Sequence, residues 1–173
     1  DSGDAAALQR TQASLAAQWL PACQIKVITA DVLSARAPLS GWYGIVPAGS
    51  VLAPYALFWF AWQLREQPGL RWIYSDHDEI DASGQRREPH FKPDWSPTLL
   101  HSHNYIGWSG LWWANAGDAL PQDGAALYRQ WLALGQQLQA QEIGHLPALL
   151  LHLPPEQIAD AMPDKPCPVA AAL

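Results

Sequence analysis

At 173 residues the chain is long enough for one domain with a real core and too short for two comfortable ones. Hydrophobic residues make up 49%, which excludes a disordered chain, and a net charge of −6 with no basic stripe argues against nonspecific binding to nucleic acid. No apolar run reaches the length of a membrane span, and no secretory signal is present. Ten tryptophans point either to a dense aromatic core or to apolar surface that a partner segment covers. Cys23 and Cys167 stand far apart without metal-ligand spacing and read as free thiols of a reducing cytoplasm. The start on Asp1-Ser2-Gly3-Asp4, without Met, reads as a piece of something longer. The expected location is cytoplasmic, or at a membrane through other domains of a longer chain.

In chain order, Asp4 is a plausible N-cap for a helix over Ala5–Gln18 with Leu8, Leu15 and Trp19 near one face, stopped by Pro21. Gln24–Thr29 reads as a strand with Asp31 beyond its carboxyl end, and Gly41–Val46 as a second strand before a turn at Pro47–Ser50. Pro54 suits the first turn of a helix to about Gln67, which Pro68-Gly69 ends. Leu70–Tyr74 is a short buried strand, Trp108–Ala114 another, Gly124–Ala140 a helix with Leu127, Trp131, Leu134 and Leu138 near helical spacing, and Ile143–Leu153 a short strand. This alternation with short connections favours an α/β domain over residues 1–153 with a largely parallel sheet, followed by a Pro/Ala-rich tail or linker over 154–173.

The chemistry concentrates after Tyr74. Asp76, Asp78, Glu79 and Asp81 follow one another closely, and the prolines of Phe91-Lys92-Pro93-Asp94-Trp95-Ser96-Pro97 rule out regular structure there. A strand ending in Asp-x-Asp presents carboxylates at the rim of an α/β sheet. Carboxylates so close repel, so they call for a cation, a basic partner or water. A hard divalent ion is one solution; a solvated acidic loop, or a turn whose carboxylates accept backbone hydrogen bonds, is the other.

The words from Ile73 to Gly107, IYSDHDEIDASGQRREPHFKPDWSPTLLHSHNYIG, resemble a recurrent block of bacterial family 2 glycosyltransferases of the surface-polysaccharide and O-antigen type. Their usual wording is close to YSDEDxID, a Gly turn, PxFKPDWSPDLL and NYIG. Val51–Leu57 resembles the family's xLxPxAL, Gln122-Asp123 with Arg129 its QDYDLxLR, and Ile143–His152 its IxHIPxxLYH. The resemblance implies a GT-A type, Rossmann-like, mostly parallel sheet that lacks the family's first strand here. It also implies a nucleotide-sugar donor, a glycan acceptor, a divalent metal (Mg²⁺ or Mn²⁺) that neutralises the departing diphosphate, and a carboxylate base.

Carried over residue by residue, the resemblance makes Asp123 the candidate base, places Asp31, Asp76 and Asp78 near the donor, and offers Asp78 and His152 to the metal. The residue-level alternatives are an N-cap for Asp123 and an ordinarily hydrogen-bonded strand-end histidine for His152. His145 also remains from the family's pattern. Pro47 and Gly49 stand where the family has its Asp-x-Asp, and neither side chain can ligate a metal; Ala125 replaces a second acid. These departures set a second reading beside transfer: a non-catalytic scaffold, or a glycan- or partner-binding module of a larger enzyme.

Overall fold

The computed structural model describes residues 2–20, 36, 37 and 39–157. The expected strand Gln24–Thr29, Asp31, both cysteines and the tail beyond residue 157 lie outside the described residues. The chain runs α1 (Ser2–Ala16), β1 (Gly41–Gly44), β2 (Val51–Leu52), α2 (Ala56–Glu66), β3 (Trp72–Ile80), β4 (Arg86–His90), α3 (Pro97–Ser102), β5 (Gly110–Ala114), α4 (Gly124–Gln137) and β6 (Ile143–Leu153).

The strands form one mixed sheet in the order β1-β5-β3-β6-β2, with β4 also on β3. Among the described residues only β3 and β6 run parallel; β1 on β5, β5 on β3, β4 on β3 and β2 on β6 are antiparallel. The expectation of a mostly parallel sheet is therefore corrected to a mixed α/β one. The reason is local: β4 returns directly from β3 through a tight turn, which only an antiparallel pair permits, whereas β6 is reached through the α4 crossover.

β3 is the centre of the molecule. β6 lines one of its edges from Trp72 to Glu79, while β5 takes the first half of the other edge and β4 the second. Flanked in this way, β3 runs six residues past the expected end at Tyr74 and is buried nearly throughout. On one face Trp72 stacks on Trp131 of α4 (centroids 5.1 Å apart), and Trp112 meets the same indole edge-on at 5.4 Å. Gly110 makes room for it: a Cβ there would lie 3.0 Å from the Trp131 ring. Trp131 Nε1 donates to Gly107 O at 2.8 Å, so its polar atom is satisfied inside the core. Ile73 packs on the other face with Leu70, Leu146, Leu150 and the buried side of α2, Ala56 and Phe60. Losing one such buried indole costs about 3–5 kcal/mol.

Besides the two-residue β2, two elements escaped the sequence pattern. β4 is charged, exposed, broken by Pro89 and bent by a positive φ of 46° at Glu88, so it shows no strand alternation. It forms because the turn before it is well specified: Asp81 Oδ1 accepts from Ser83 N (2.8 Å), Ser83 Oγ (2.6 Å) and Gln85 N (3.0 Å), and Gly84 supplies a φ of +85°. α3 is one short helix begun by Pro97 behind the N-cap Ser96, where the prolines had argued for irregular chain.

α1 also differs from its expected apolar face. Its buried side is polar: Thr11 Oγ1 accepts from Gly49 N (3.0 Å), Ser14 Oγ from Leu52 N (3.2 Å), and Gln18 bonds both Ala53 O (2.9 Å) and Leu57 N (3.0 Å). Trp19, placed on the apolar face by spacing, is 68% exposed and rests edge-on against Tyr55. Tertiary context sets this face, because the segment from Gly49 to Leu57 has backbone donors and acceptors to satisfy. The ten tryptophans divide accordingly: Trp72, Trp112 and Trp131 are core, while Trp59 and Trp62 of α2 stay partly exposed.

Candidate functional site

The acids expected in a loop at the rim of the sheet lie inside β3. Asp76 and Asp78 are 2% and 3% exposed. Beside them β6 carries Pro147, which cannot donate to the ladder. The register slips there: Ser75 pairs with Leu146 but Asp76 with Leu149, and a second slip precedes the pairing of His77 with Leu151. Bulges of this kind re-aim side chains, and here they flank Asp76 on both sides.

Asp76 Oδ1 accepts from Lys92 N at 2.9 Å and faces His145 Nε2 at 3.0 Å. The other ring nitrogen, His145 Nδ1, lies 3.1 Å from Asp94 Oδ1. One face of the imidazole stacks on Tyr74, with centroids 4.8 Å apart. A buried carboxylate, a nearly buried histidine and an outer carboxylate thus form a line. The last of them, Asp94, has a side chain 98% exposed. A neutral imidazole has one N–H, so its tautomer decides which carboxylate receives the hydrogen bond.

Asp78 stands beside His152 in the parallel register, so the two side chains leave the sheet together. Asp78 Oδ1 accepts from His152 Nδ1 at 2.5 Å, and Oδ2 receives Arg86 through Nε (2.8 Å) and Nη2 (2.7 Å). Burial pulls the His152 pKa down against the opposing pull of Asp78, which favours the neutral ring. Both oxygens of Asp78 are then compensated by groups of the chain itself. A divalent ion on Asp78 and His152 would have to displace the Nδ1 proton and sit beside a guanidinium on the same carboxylate. The donor set fits a proton and an arginine rather than a metal, and among the described residues no three His, Cys, Asp or Glu side chains group to hold one.

Lys92 is the third buried charge-bearing group. Its Nζ donates to Ser75 O (2.7 Å), Ile106 O (2.8 Å) and Ser109 Oγ, tying β3 to the turn before β5. Burial lowers its pKa to about 7, with nearby Asp76 pulling the other way. His77, next along β3, stacks on its register partner His90 at 4.7 Å and has no partner for either ring nitrogen. Burial, then Lys92 and His90, depress its pKa to about 2, so it is held neutral.

The residues named from sequence separate. Asp76 and Asp78 do share one strand, and His152 does meet Asp78. Asp123 caps α4, accepting from Ala126 N at 2.6 Å, which is the N-cap arrangement set beside its role as base. At the Asp-x-Asp position, Gly49 adopts a φ of +95° and gives its N–H to α1, and a Cβ there would lie 3.0 Å from Pro154. Asp94 and Arg86 were not singled out. Asp94 sits among prolines in a segment without periodicity, and Arg86 lies on a strand with no strand pattern, so only the tertiary contacts reveal either.

No protein-family profile matches the chain. Over 63 residues, 36% of the chain, it is 46% identical to the O-antigen biosynthesis protein RfbC of Myxococcus xanthus. Over 105 residues, 58% of the chain, it is 31% identical to the uncharacterized protein y4gI of Sinorhizobium fredii (strain NBRC 101917 / NGR234). The chain spans 5% and 12% of the lengths of these two relatives. No helix among the described residues is long and apolar enough to cross a membrane.

Proposed function

We propose that the chain is a glycosyltransferase-like domain of the GT-A-related, family 2 kind, acting in bacterial surface-polysaccharide synthesis. In this reading a sugar passes from a nucleotide-sugar donor to a hydroxyl of a glycan acceptor. The long block from Ile73 to Gly107 and the similarity to an O-antigen biosynthesis protein support the class. The observation that carries the chemistry is the line Asp76–His145–Asp94. An exposed carboxylate held by a histidine that a buried carboxylate orients is suited to take a proton from an attacking hydroxyl onto its own oxygen. Asp94 is the outer base of this reading, alongside Asp123 as the base that the family resemblance offers. Mg²⁺ or Mn²⁺ belongs to the proposal only through that resemblance, and no step is assigned to it.

A second reading is favoured by Asp78 and Gly49. One carboxylate is already saturated by Arg86 and His152, and the Asp-x-Asp position spends its backbone on holding α1. On that reading the chain is a non-catalytic scaffold or binding module within a longer protein. Calorimetric titration of UDP-, GDP- and dTDP-sugars, with and without Mn²⁺, separates the two. Binding to the chain that Asp76→Asn weakens supports transfer. Silence from the chain and from any longer protein that contains it leaves the scaffold.

A further inference from the structure

α2 carries two apolar stripes. Ala56 and Phe60 face the core, while Tyr55 at the N-cap, then Phe58, Trp59 and Trp62, recur at three- and four-residue steps around the opposite side. Phe58, Trp59 and Trp62 are 39%, 42% and 41% exposed, and Trp19, edge-on to Tyr55, extends the patch at the amino end. The rings form a ridge: Phe58 is edge-on to Trp59 at 5.7 Å and tilted on Trp62 at 6.3 Å. The Arg65 guanidinium closes its carboxyl end, 4.3 Å over the Trp62 ring.

A helix that is apolar on all sides is a helix meant to be covered on all sides. Single surface hydrophobics need no explanation, but a stripe at this spacing is the pattern by which one helix packs on another. At roughly 150–250 Å² for a whole aromatic side chain, the four exposed fractions present roughly 400 Å² of ring surface. A standard interface takes about 800 Å² from each partner, a little over half of it apolar, so the ridge supplies the apolar part. Its charges cancel, because Arg65 pairs with Glu66 at 3.1 Å. The ridge therefore selects neither a strongly charged partner nor an anionic lipid surface, and the chain's net charge of −6 opposes the latter.

We infer that this ridge binds the same ridge of a second copy of the chain, as a two-fold dimer through α2. A contact of that symmetry needs a patch complementary to itself. Aromatic rings meet their own kind edge-on, and the balanced Arg65–Glu66 pair opposes no copy of itself. With the two α2 helices antiparallel, the guanidinium at the carboxyl end of one meets Tyr55 and Trp19 at the amino end of the other, as a cation over aromatic faces. Trp, Tyr and Arg are also the side chains that dominate interface energies. The dimer is independent of sugar transfer: His145 stacks on Tyr74, which packs with Trp72 and α4 on the face of the sheet opposite α2.

The test is sedimentation velocity of the chain from about 1 µM to about 100 µM, the range in which interfaces of moderate affinity assemble. The expected result is a passage from the monomer to twice its mass. Trp59→Gln and Trp62→Gln should each raise the dimer Kd at least about tenfold while the far-ultraviolet circular dichroism stays in place. Arg65→Ala, a good helix former on an exposed side chain, should weaken the dimer in the same direction and serves where a tryptophan variant does not fold. A chain that stays monomeric throughout, or a dimer that the folded variants leave undiminished, overturns the proposal. So does a monomer whose tryptophan fluorescence shifts to the blue on phosphatidylcholine vesicles, which would make α2 a lipid-facing helix instead.

Discussion

Acid should destabilise this protein through the buried ring of His77. His77 is 2% exposed, has neither ring nitrogen hydrogen-bonded, and is held to a pKa of about 2 against an ordinary 6.5. Its folded pKa lies below its unfolded one, so the unfolded chain binds the proton first. The stability tied to the neutral ring is complete above pH 6.5 and falls away as the pH drops from there toward 2. At pH 4.5, two units into that window, the loss is about 3 kcal/mol at roughly 1.4 kcal/mol per unit. Against a urea slope of about 1–3 kcal/mol/M, this moves the unfolding midpoint by about 1–3 M between pH 7 and pH 4.5. His77→Phe keeps an aromatic ring against His90 and removes the titration. Its midpoint should fall by that much less over the same interval, and at pH 7 it should match or exceed the parent, because two buried unpartnered nitrogens are gone. Parallel pH profiles for the parent and His77→Phe would refute this account, and would mean that the ring finds a partner or water in solution.

Two further outcomes follow from the hydrogen bonds. Arg86→Ala leaves Asp78 buried with only His152, and should cost about 2–3 kcal/mol in thermal or urea unfolding; the guanidinium's own side chain is 43% exposed, which keeps the figure below that of a fully buried pair. Adding Asp78→Asn to it should recover part of that loss, and no recovery would argue that the charge of Asp78 is not the issue. Asp123→Ala should cost about 1 kcal/mol as a lost N-cap, while Asp123→Asn retains stability. If Asp123→Asn instead kept its stability but abolished a measured sugar transfer, the base role for Asp123 would stand.

Much of the framework was legible from residue order because its causes are local. Helical spacing of Leu127, Trp131 and Leu134, proline and glycine at helix ends, and the apolar runs into β3, β5 and β6 fix those elements before any contact forms. The sequence also singled out side chains that the fold brings together, since Asp76 and Asp78 do face His145 and His152 across the β3–β6 pair. Tertiary structure decided the rest. Strand direction depends on which edges meet, so the antiparallel majority of the sheet could not be read from alternation alone. β4 owes its existence to an open edge of β3 and a turn, and α1 buries polar residues because a neighbouring backbone needs partners. The acids became buried rather than solvated because Arg86 and Lys92 from the returning chain, and two histidines from distant β6, arrive beside them. Pairing of charge across strands is a property of the folded chain, and it is what turned an acidic run into buried, partnered carboxylates.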